Sequence, residues 1–331
     1  MKRSRLALSL APALFVTLAS GLAPLGAAAE AVKVDASIPA YKTVSGVAGN
    51  LNSIGSDTLN NVMTLWAETF RAKYPNVRIQ IEGKGSSTAP PALIDGTAQV
   101  GPMSREMKPT EIDAFEKKFG YAPTPYKVAV DALAVYVNKD NPLEKLTLPQ
   151  VDALFSKTRR CGAPSALEQW SQLGLTGMYA GRRISLYGRN SASGTYGYFK
   201  EHALCGGDFR DDVKEQPGSA SVVQGVTEDT FGIGYSGIGY KTSSVKALDL
   251  AAKDGAPFAK AEAADVYAGK YPLARFLMVY LNQAPGRPLD PLVKEFLRLV
   301  LSKEGQEVVV KDGYLPLTKT VFEQEHAKLE R

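Results

Sequence analysis

The chain has 331 residues, of which 44% are hydrophobic and 22% are charged. This composition is ordinary for a soluble globular protein and differs from that of a disordered or collagen-like chain. The length is sufficient for two domains with hydrophobic cores of their own.

The net charge argues against nucleic-acid binding. The full chain carries 39 Lys and Arg residues against 34 Asp and Glu, a formal charge of +5. Removal of the first 29 residues takes away three positive charges and no negative one, which leaves 36 against 34. Contact with nucleic acid or an anionic membrane requires a large, clustered positive field. We therefore expect no nucleic-acid partner, and any anion must be bound locally.

Residues 1 to 29 have the pattern of a cleaved secretory signal. The basic start MKRSR is followed by an apolar run from Leu6 and by three alanines before Glu30. A membrane anchor is the alternative, but Pro12 and Pro24 leave the apolar run short for a permanent span. No cysteine lies at the exit, so we expect no lipid anchor. The sequence predicts export to the periplasm and leaves onward secretion open.

The only two cysteines, Cys161 and Cys205, lie in the same central stretch of this exported chain. Oxidation is permitted outside the cytoplasm, so we expect a disulfide, with two buried free thiols as the alternative. A zinc site is not expected, because there is no CxxC pair and His202 and His326 are each isolated. We likewise expect no cofactor.

The first part of the chain alternates strands and helices after a polar lead, residues 30–49. Apolar residues at helical spacing predict a helix that begins at GSDT and ends before Pro75. The alternating stretch VRIQIEG predicts a strand, and the adjacent prolines after GKGSSTA suit the first turn of a second helix. A short apolar strand, a turn at Pro102 to Arg105 and a helix opened by Pro109 and Thr110 follow.

The second part begins with VAVDALAVYVN, a buried strand of a type common in parallel sheets covered on both faces. Further strands are predicted in RRISLYG, FGIGYSGIGY and RFLMVYLN, and helices in PQVDALFS, YGYFKEHAL and PLVKEFLRLVLSKEGQEVVVKDG. Candidate crossings near Val137 and Tyr235 divide this α/β pattern into two lobes. The first lobe would comprise residues 50–137 and 236–331, and the second residues 138–235.

Small polar turns are predicted at the starts of several helices. They contain Gly55, Ser56, Asp57 and Thr58; Gly85, Ser86, Ser87 and Thr88; Ser104 and Arg105; and Ser193, Gly194 and Thr195 after Arg189. Helix N-termini offer unpaired amides and a positive dipole end, hydroxyls add donors, and arginine matches phosphate-like oxygens. Ordinary helix capping would explain any one such turn without a ligand. Taken together, the turns leave two alternatives open, an anion-binding site and ordinary helix capping.

The segments GSDT, EGKGSSTAP, SREM, RNSASGT, GIGYSGIGY, YPLARFLMVYLN and EGQEVVVKDGYLPL together resemble the PstS-type phosphate-binding proteins of ABC importers. The resemblance covers essentially the whole mature chain. It implies a two-lobed periplasmic-binding-protein-like fold of type II, in which each lobe is a mixed, mostly parallel sheet flanked by helices. Two hinge crossings would join the lobes.

The most specific part of the resemblance is the phosphate loop, in which an arginine precedes the serine of an SGT triplet by four residues. It places Arg189, Ser193, Gly194 and Thr195 on the anion. Ser86 and the amides near Asp57 and Thr58 would close over it from the first lobe, and we include Ser56, Ser87, Ser104 and Arg105 as candidate ligands from the same turns.

The sequence departs from that family at two positions. Family members commonly use an aspartate after the third strand to accept the proton of hydrogen phosphate, where this chain has Ser104 and Arg105. The acidic partner of the loop arginine is replaced by Ser191. Sulfate carries no proton at neutral pH, so a buried carboxylate acceptor favours phosphate over sulfate, and a site of donors alone does not discriminate this way. Asp57 is the nearest candidate acceptor, with a plain N-cap role as the alternative.

The resemblance implies a monomeric, non-enzymatic binding protein that closes around inorganic phosphate and delivers it to an inner-membrane ABC permease. Another oxyanion such as sulfate is the alternative ligand. A secreted serine hydrolase or phosphatase is the rival class, since Ser243 and Lys246 match an S-x-x-K pattern. That pattern is common by chance, its companion motifs are missing, and neither histidine completes a triad. A surface interaction protein without a transport role is a third class.

Overall fold

A computed structural model of the protein describes residues 32–330. The predicted signal segment and its cleavage site lie outside these residues. Within the described range, no helix combines the length and apolar character needed to cross a membrane.

The described chain alternates short strands and helices. The strands are β1 (Gly49–Ile54), β2 (Val77–Glu82), β3 (Gly101–Met103), β4 (Thr124–Asn138), β5 (Lys145–Thr147), β6 (Ser185–Arg189), β7 (Lys214–Gln216), β8 (Gly232–Gly237), β9 (Val245–Ala247), β10 (Asp249–Ala251) and β11 (Ala274–Leu281). The helices are α1 (Asn60–Lys73), α2 (Ala89–Asp95), α3 (Pro109–Phe119), α4 (Leu148–Phe155), α5 (Gly194–His202), α6 (Ser219–Glu228), α7 (Ala263–Tyr267), α8 (Pro291–Leu301), α9 (Lys303–Lys311) and α10 (Lys319–Leu329).

The helices predicted from apolar spacing and start signals are confirmed. A 3-10 turn, Asp57–Leu59, leads into α1, and another, Ser86–Thr88, leads into α2. The prolines of α2 and α3 occupy first-turn positions, where the missing amide hydrogen costs nothing. The helix α6 was not predicted, although its buried valines recur at helical spacing.

The main sheet has seven strands, ordered β3-β11-β4-β8-β6-β7, with β9 also paired to β4. The strand β6 is parallel to β7 and β8, whereas β4 is antiparallel to β11, β8 and β9. Two further parallel pairs lie outside this sheet, β1 with β2 and β5 with β10. The predicted α/β class with mixed sheets and flanking helices is confirmed.

The strand β4 is buried without interruption from Val128 to Val137. Leu133 and Val135 join the largest hydrophobic cluster, whereas Ala134 and Tyr136 pack in a second cluster with valines of α6. Burial on both faces therefore explains the apolar run. The prediction that such a run belongs to a parallel sheet is wrong for β4, since its neighbours are all antiparallel. The composition depends on coverage of both faces of the strand and not on the direction of its neighbours.

Two halves of the sheet meet along β4. The strand pairs with β11 from Thr124 to Ala132 and with β8 from Leu133 to Val137. The change of partner therefore comes a few residues before the crossing predicted near Val137, and its counterpart on β8 is Gly237, close to the predicted Tyr235. We keep the lobe boundaries as a prediction and call the β3-β11 side the first half and the β8-β6-β7 side the second half.

The predicted disulfide is confirmed, since Cys161 and Cys205 are bonded. It ties the loop after α4 to the C-terminal end of α5. Cys205 has a φ of 48°, a left-handed conformation that is uncommon outside glycine. The bond therefore anchors the far end of the helix whose N-terminus carries the SGT triplet.

Candidate functional site

The predicted polar turns converge where the two halves of the sheet face each other. Ser56, Ser86 and Ser104 come from the first half, and Ser193 and Thr195 come from the start of α5 in the second. Each of these side chains is at most 2% exposed. Convergence arises because each turn follows the carboxyl end of a strand, and these ends lie together.

Three serine hydroxyls of the first half form a connected cluster. Ser56 Oγ donates to Ser104 Oγ at 3.0 Å, and the Oγ atoms of Ser86 and Ser104 lie 3.3 Å apart. The backbone amide of Ser104 donates to Ser86 Oγ at 3.1 Å. Gly194 faces this cluster, since a methyl group built on its Cα would lie 2.2 Å from Ser86 Oγ. Only glycine therefore lets α5 approach the serines this closely.

The threonines of the two halves are in direct contact. Thr58 Oγ1 and Thr195 Oγ1 lie 2.9 Å apart, and either hydroxyl can be the donor. Ser193 is the N-cap of α5, and its Oγ accepts from the amides of Thr195 and Tyr196. Hydroxyls from both halves thus surround the N-terminus of α5, where the helix dipole favours negative charge.

Arg189 ends β6 and is only 2% exposed. Its Nη1 donates to Ser219 Oγ at 2.7 Å, and its Nη2 donates to the Pro217 carbonyl at 3.2 Å. Nε is buried with no hydrogen-bond partner in the described residues. Burial lowers the pKa of Arg189, and Asp57 opposes that shift. A buried guanidinium with a free donor is costly unless an acceptor reaches it, and that favours an anion here.

Asp57 supplies the acidic partner of Arg189. Its Oδ2 lies 3.1 Å from Arg189 Nη1 and accepts the amide hydrogen of Ser219 at 2.8 Å. The expectation that Ser191 simply replaces an acidic partner is therefore wrong, because the carboxylate comes from the first half of the molecule. Asp57 caps α6 rather than its own helix, so its bond crosses between the halves.

Arg105 lies at the edge of the cluster. Its two terminal nitrogens form a bidentate pair with Glu111 at 2.8 and 2.7 Å, and Nη2 also donates to Ser87 Oγ. Burial raises the pKa of Glu111, but the bonds from Arg105 and Lys108 outweigh it and hold that pKa below its ordinary value. Anion binding by Arg105 and Ser87 stays a prediction. In this structure Arg105 packs over α5, with its Cδ 3.2 Å from a methyl built on Gly197.

Sequence reasoning missed the buried pair of Arg275 and Asp131. Arg275 Nε and Nη2 donate to Asp131 Oδ2 at 2.9 and 2.7 Å, and Nη2 also reaches Thr195 Oγ1 at 2.9 Å. A signal was present, since each is a single charge within an apolar strand, VAVDALAVYV or RFLMVYL. Buried charges require partners, so each charge indicates a buried partner of opposite sign without showing which residue it is, and neither indicates the contact with Thr195.

The residues considered for enzymatic chemistry lie elsewhere. Ser243 is exposed, and Lys246 Nζ is bound by Glu144 and the Asn141 carbonyl. His202 lies against the ring of Tyr198. Among residues 32–330, no group of three or more His, Cys, Asp or Glu side chains is arranged to hold a metal ion.

Comparison with known proteins identifies similar sequences and folds. A model described as a PBP superfamily domain matches residues 40–304. The phosphate-binding protein PstS of Pseudomonas aeruginosa (strain ATCC 15692) is 60% identical over 91% of this chain and 94% of that protein. The protein of the same name from Bacillus subtilis strain 168 is 29% identical over 96% of both.

A solved structure shares the fold. An X-ray structure from Clostridium perfringens, described as a candidate phosphate ABC transporter substrate-binding protein with bound phosphate, superposes with a TM-score of 0.68 at 26% identity. The match covers 82% of this chain and 100% of the other. The two-lobed type II architecture expected from the sequence is therefore confirmed.

Proposed function

Because the chain belongs to the PstS-type phosphate-binding proteins of the PBP superfamily, we propose that it captures inorganic phosphate between its two halves and delivers it to an ABC import permease. The observation that carries this proposal is the buried donor set. Serine and threonine hydroxyls from both halves meet at the N-terminus of α5. Arg189 lies four residues before Ser193 and has a buried Nε without a hydrogen-bond partner among residues 32–330. The family consists of substrate-binding proteins rather than enzymes.

The donor set suits a tetrahedral oxyanion. Hydroxyls donate without adding net charge, and helix amides supply further donors, so a dry site can hold an anion with only one arginine charge beside it. Arg189 supplies that charge, and its pairing with Asp57 keeps it oriented. We assign Ser56, Thr58, Ser86, Ser104, Ser193, Gly194 and Thr195 as the remaining ligands, with Arg105 and Ser87 at the rim.

Asp57 is the proposed acceptor of the phosphate proton. Its Oδ2 is engaged by Arg189 and the Ser219 amide, whereas no hydrogen bond within residues 32–330 uses Oδ1. A carboxylate oxygen beside the anion accepts a proton from hydrogen phosphate and repels sulfate, which has none to give. Asp57→Asn is therefore expected to narrow the difference between phosphate and sulfate affinity. Asp140→Asn, at an exposed surface ion pair, is the matched control.

Closure of the two halves is the proposed mechanism of capture. The bonds from Asp57 to Ser219 and from Thr58 to Thr195 cross between the halves, as does the bond from the Ser87 amide to the Ala192 carbonyl. Rotation about the crossings of β4 and β8 would break them and open the cleft to solvent. Closure excludes water and so strengthens each hydrogen bond to the anion.

The proposal places the mature protein, after signal cleavage, outside the cytoplasmic membrane as a monomer. Uptake of labelled phosphate by cells that lack the gene should be restored by the wild-type protein and not by Arg189→Ala. Restoration by both proteins would contradict the assigned site. The purified protein should release no phosphate from p-nitrophenyl phosphate, and turnover of that ester would contradict a pure binding role.

A further inference from the structure

Arg275, the second residue of β11, connects three separate parts of the molecule. Its Nε and Nη2 bind Asp131 on β4, and its Nη1 donates to the Ser104 carbonyl at 2.8 Å just beyond β3. Its Nη2 also donates to Thr195 Oγ1 on α5. The side chain is 3% exposed. One guanidinium therefore contacts β4, the turn after β3 in the first half, and the helix α5 of the second half, which begins at the phosphate loop.

The bond to Thr195 fixes the direction of its hydroxyl. A hydroxyl has one hydrogen to donate and two lone pairs that accept. Because Arg275 donates to the oxygen, the hydrogen of Thr195 must point elsewhere, toward Thr58 or toward an anion beside the two hydroxyls. A charged donor on its oxygen also polarises that hydroxyl and strengthens the bond it donates.

A purely structural role for Arg275 would need only the pair with Asp131. That carboxylate is already satisfied, since Oδ2 accepts from Arg275 and Oδ1 accepts the amide hydrogen of Ile238 at 2.9 Å. Arg275 nevertheless makes further contacts with the second half, namely the bond to Thr195 and a position 5.2 Å from the centre of the Tyr198 ring. These contacts exist only while the halves are together.

We propose that Arg275 is a positioning residue of the anion site, which aims the Thr195 hydroxyl at the phosphate and couples phosphate binding to closure. This inference rests on the proposed function. It predicts that the effect of Arg275 on affinity passes through Thr195. The two side chains then behave as one unit rather than as independent contributors.

A double-mutant cycle tests the coupling. Phosphate affinity is measured by calorimetry for the wild type, Arg275→Lys, Thr195→Val and the double variant. Removal of a charge-assisted bond is expected to weaken binding by roughly 10- to 150-fold in each single variant. The double variant is expected to bind no more weakly than Thr195→Val. Losses that multiply would overturn the inference, because they would show that Arg275 acts independently of Thr195.

The dissociation rate supplies a second readout. Loss of a contact that holds the closed form should raise the rate of phosphate release in Arg275→Lys more than it slows binding. Arg298→Lys is the matched control, since Arg298 pairs with Glu295 and Glu330 on the surface side of α8, and it should leave both rates unchanged. An unchanged release rate in Arg275→Lys would count against the inference.

A phosphate-bound crystal structure of the wild type keeps the inference testable if Arg275→Lys does not fold. Thr195 Oγ1 is expected within hydrogen-bond distance of both a phosphate oxygen and Arg275 Nη2. A Thr195 hydroxyl turned away from the phosphate would refute it. Absence of phosphate binding by the wild type would instead refute the proposed function itself, so the two failures are distinguishable.

Discussion

Replacement of Gly194 by alanine tests whether α5 closes on the first-half serines. A methyl group at this position would lie 2.2 Å from Ser86 Oγ and 2.6 Å from Ser104 Oγ. A carbon and an oxygen require roughly 3.3 Å, so the halves must separate by about 1 Å. Overpacking of this kind costs about 1 to 3 kcal/mol, which corresponds to a loss of phosphate affinity of roughly 5- to 150-fold.

The same substitution should not destabilise the fold. Gly194 opens α5 without a positive φ, and alanine is a better helix former than glycine. Affinity and thermal stability are therefore expected to change independently: phosphate binding weakens in calorimetry, while the melting temperature of the phosphate-free protein stays equal or rises. A general folding defect would lower both.

Gly197→Ala in the same helix is the matched control. Its methyl would lie 3.2 Å from Arg105 Cδ, so a shift of a few tenths of an ångström relieves the contact, against about 1 Å at Gly194. Its effect should stay within about 0.5 kcal/mol, or roughly twofold in affinity. Wild-type affinity in Gly194→Ala would refute the view that the serines and α5 close together around the anion.

Three further predictions concern the scaffold. Replacement of Cys161 and Cys205 by serine should cost about 4 kcal/mol in the chain-entropy model for a loop closed at a separation of 44 residues; an unchanged urea midpoint would contradict an anchoring role. Burial raises the pKa of Asp312 to about 6 from 3.8. Ionisation of this buried carboxyl group therefore lowers the free energy of unfolding as pH rises from about 4 through 6. Asp312→Asn should then stabilise the protein at pH 7.5 and not at pH 3.5, and a pH-independent effect would contradict this. Gly237→Ala places a methyl 3.1 Å from both Asp131 oxygens and should lower stability by about 1 to 3 kcal/mol in urea unfolding, whereas wild-type stability would indicate that the crossing has spare room.

Local patterns in the sequence predicted most of the helices and strands. Apolar spacing placed α1, and the prolines placed the starts of α2 and α3, because helix periodicity and first-turn geometry are local properties. The small polar residues at the helix starts were identified for the same reason, whereas their meeting at one site was implied by the family resemblance. The antiparallel pairing of β4 was not, since a strand buried on both faces has the same composition whichever way its neighbours run.

Contacts between distant segments could not be predicted from local patterns. Asp57 and Arg189 were each singled out, but their pairing depends on how the two halves face each other. Arg275 was missed altogether, because a single arginine in an apolar strand shows that a buried partner exists without showing which one. The contact with Thr195 joins residues 80 positions apart, and only the fold brings them together.

Capture of phosphate at the Arg189 site is tested most directly by calorimetric titration of the anion-stripped mature protein with phosphate, in the absence and presence of excess sulfate. Binding of one phosphate per chain is expected, unaffected by sulfate and lost in Arg189→Ala. Absence of heat with phosphate would contradict the phosphate assignment, and competition by sulfate would contradict the role given to Asp57.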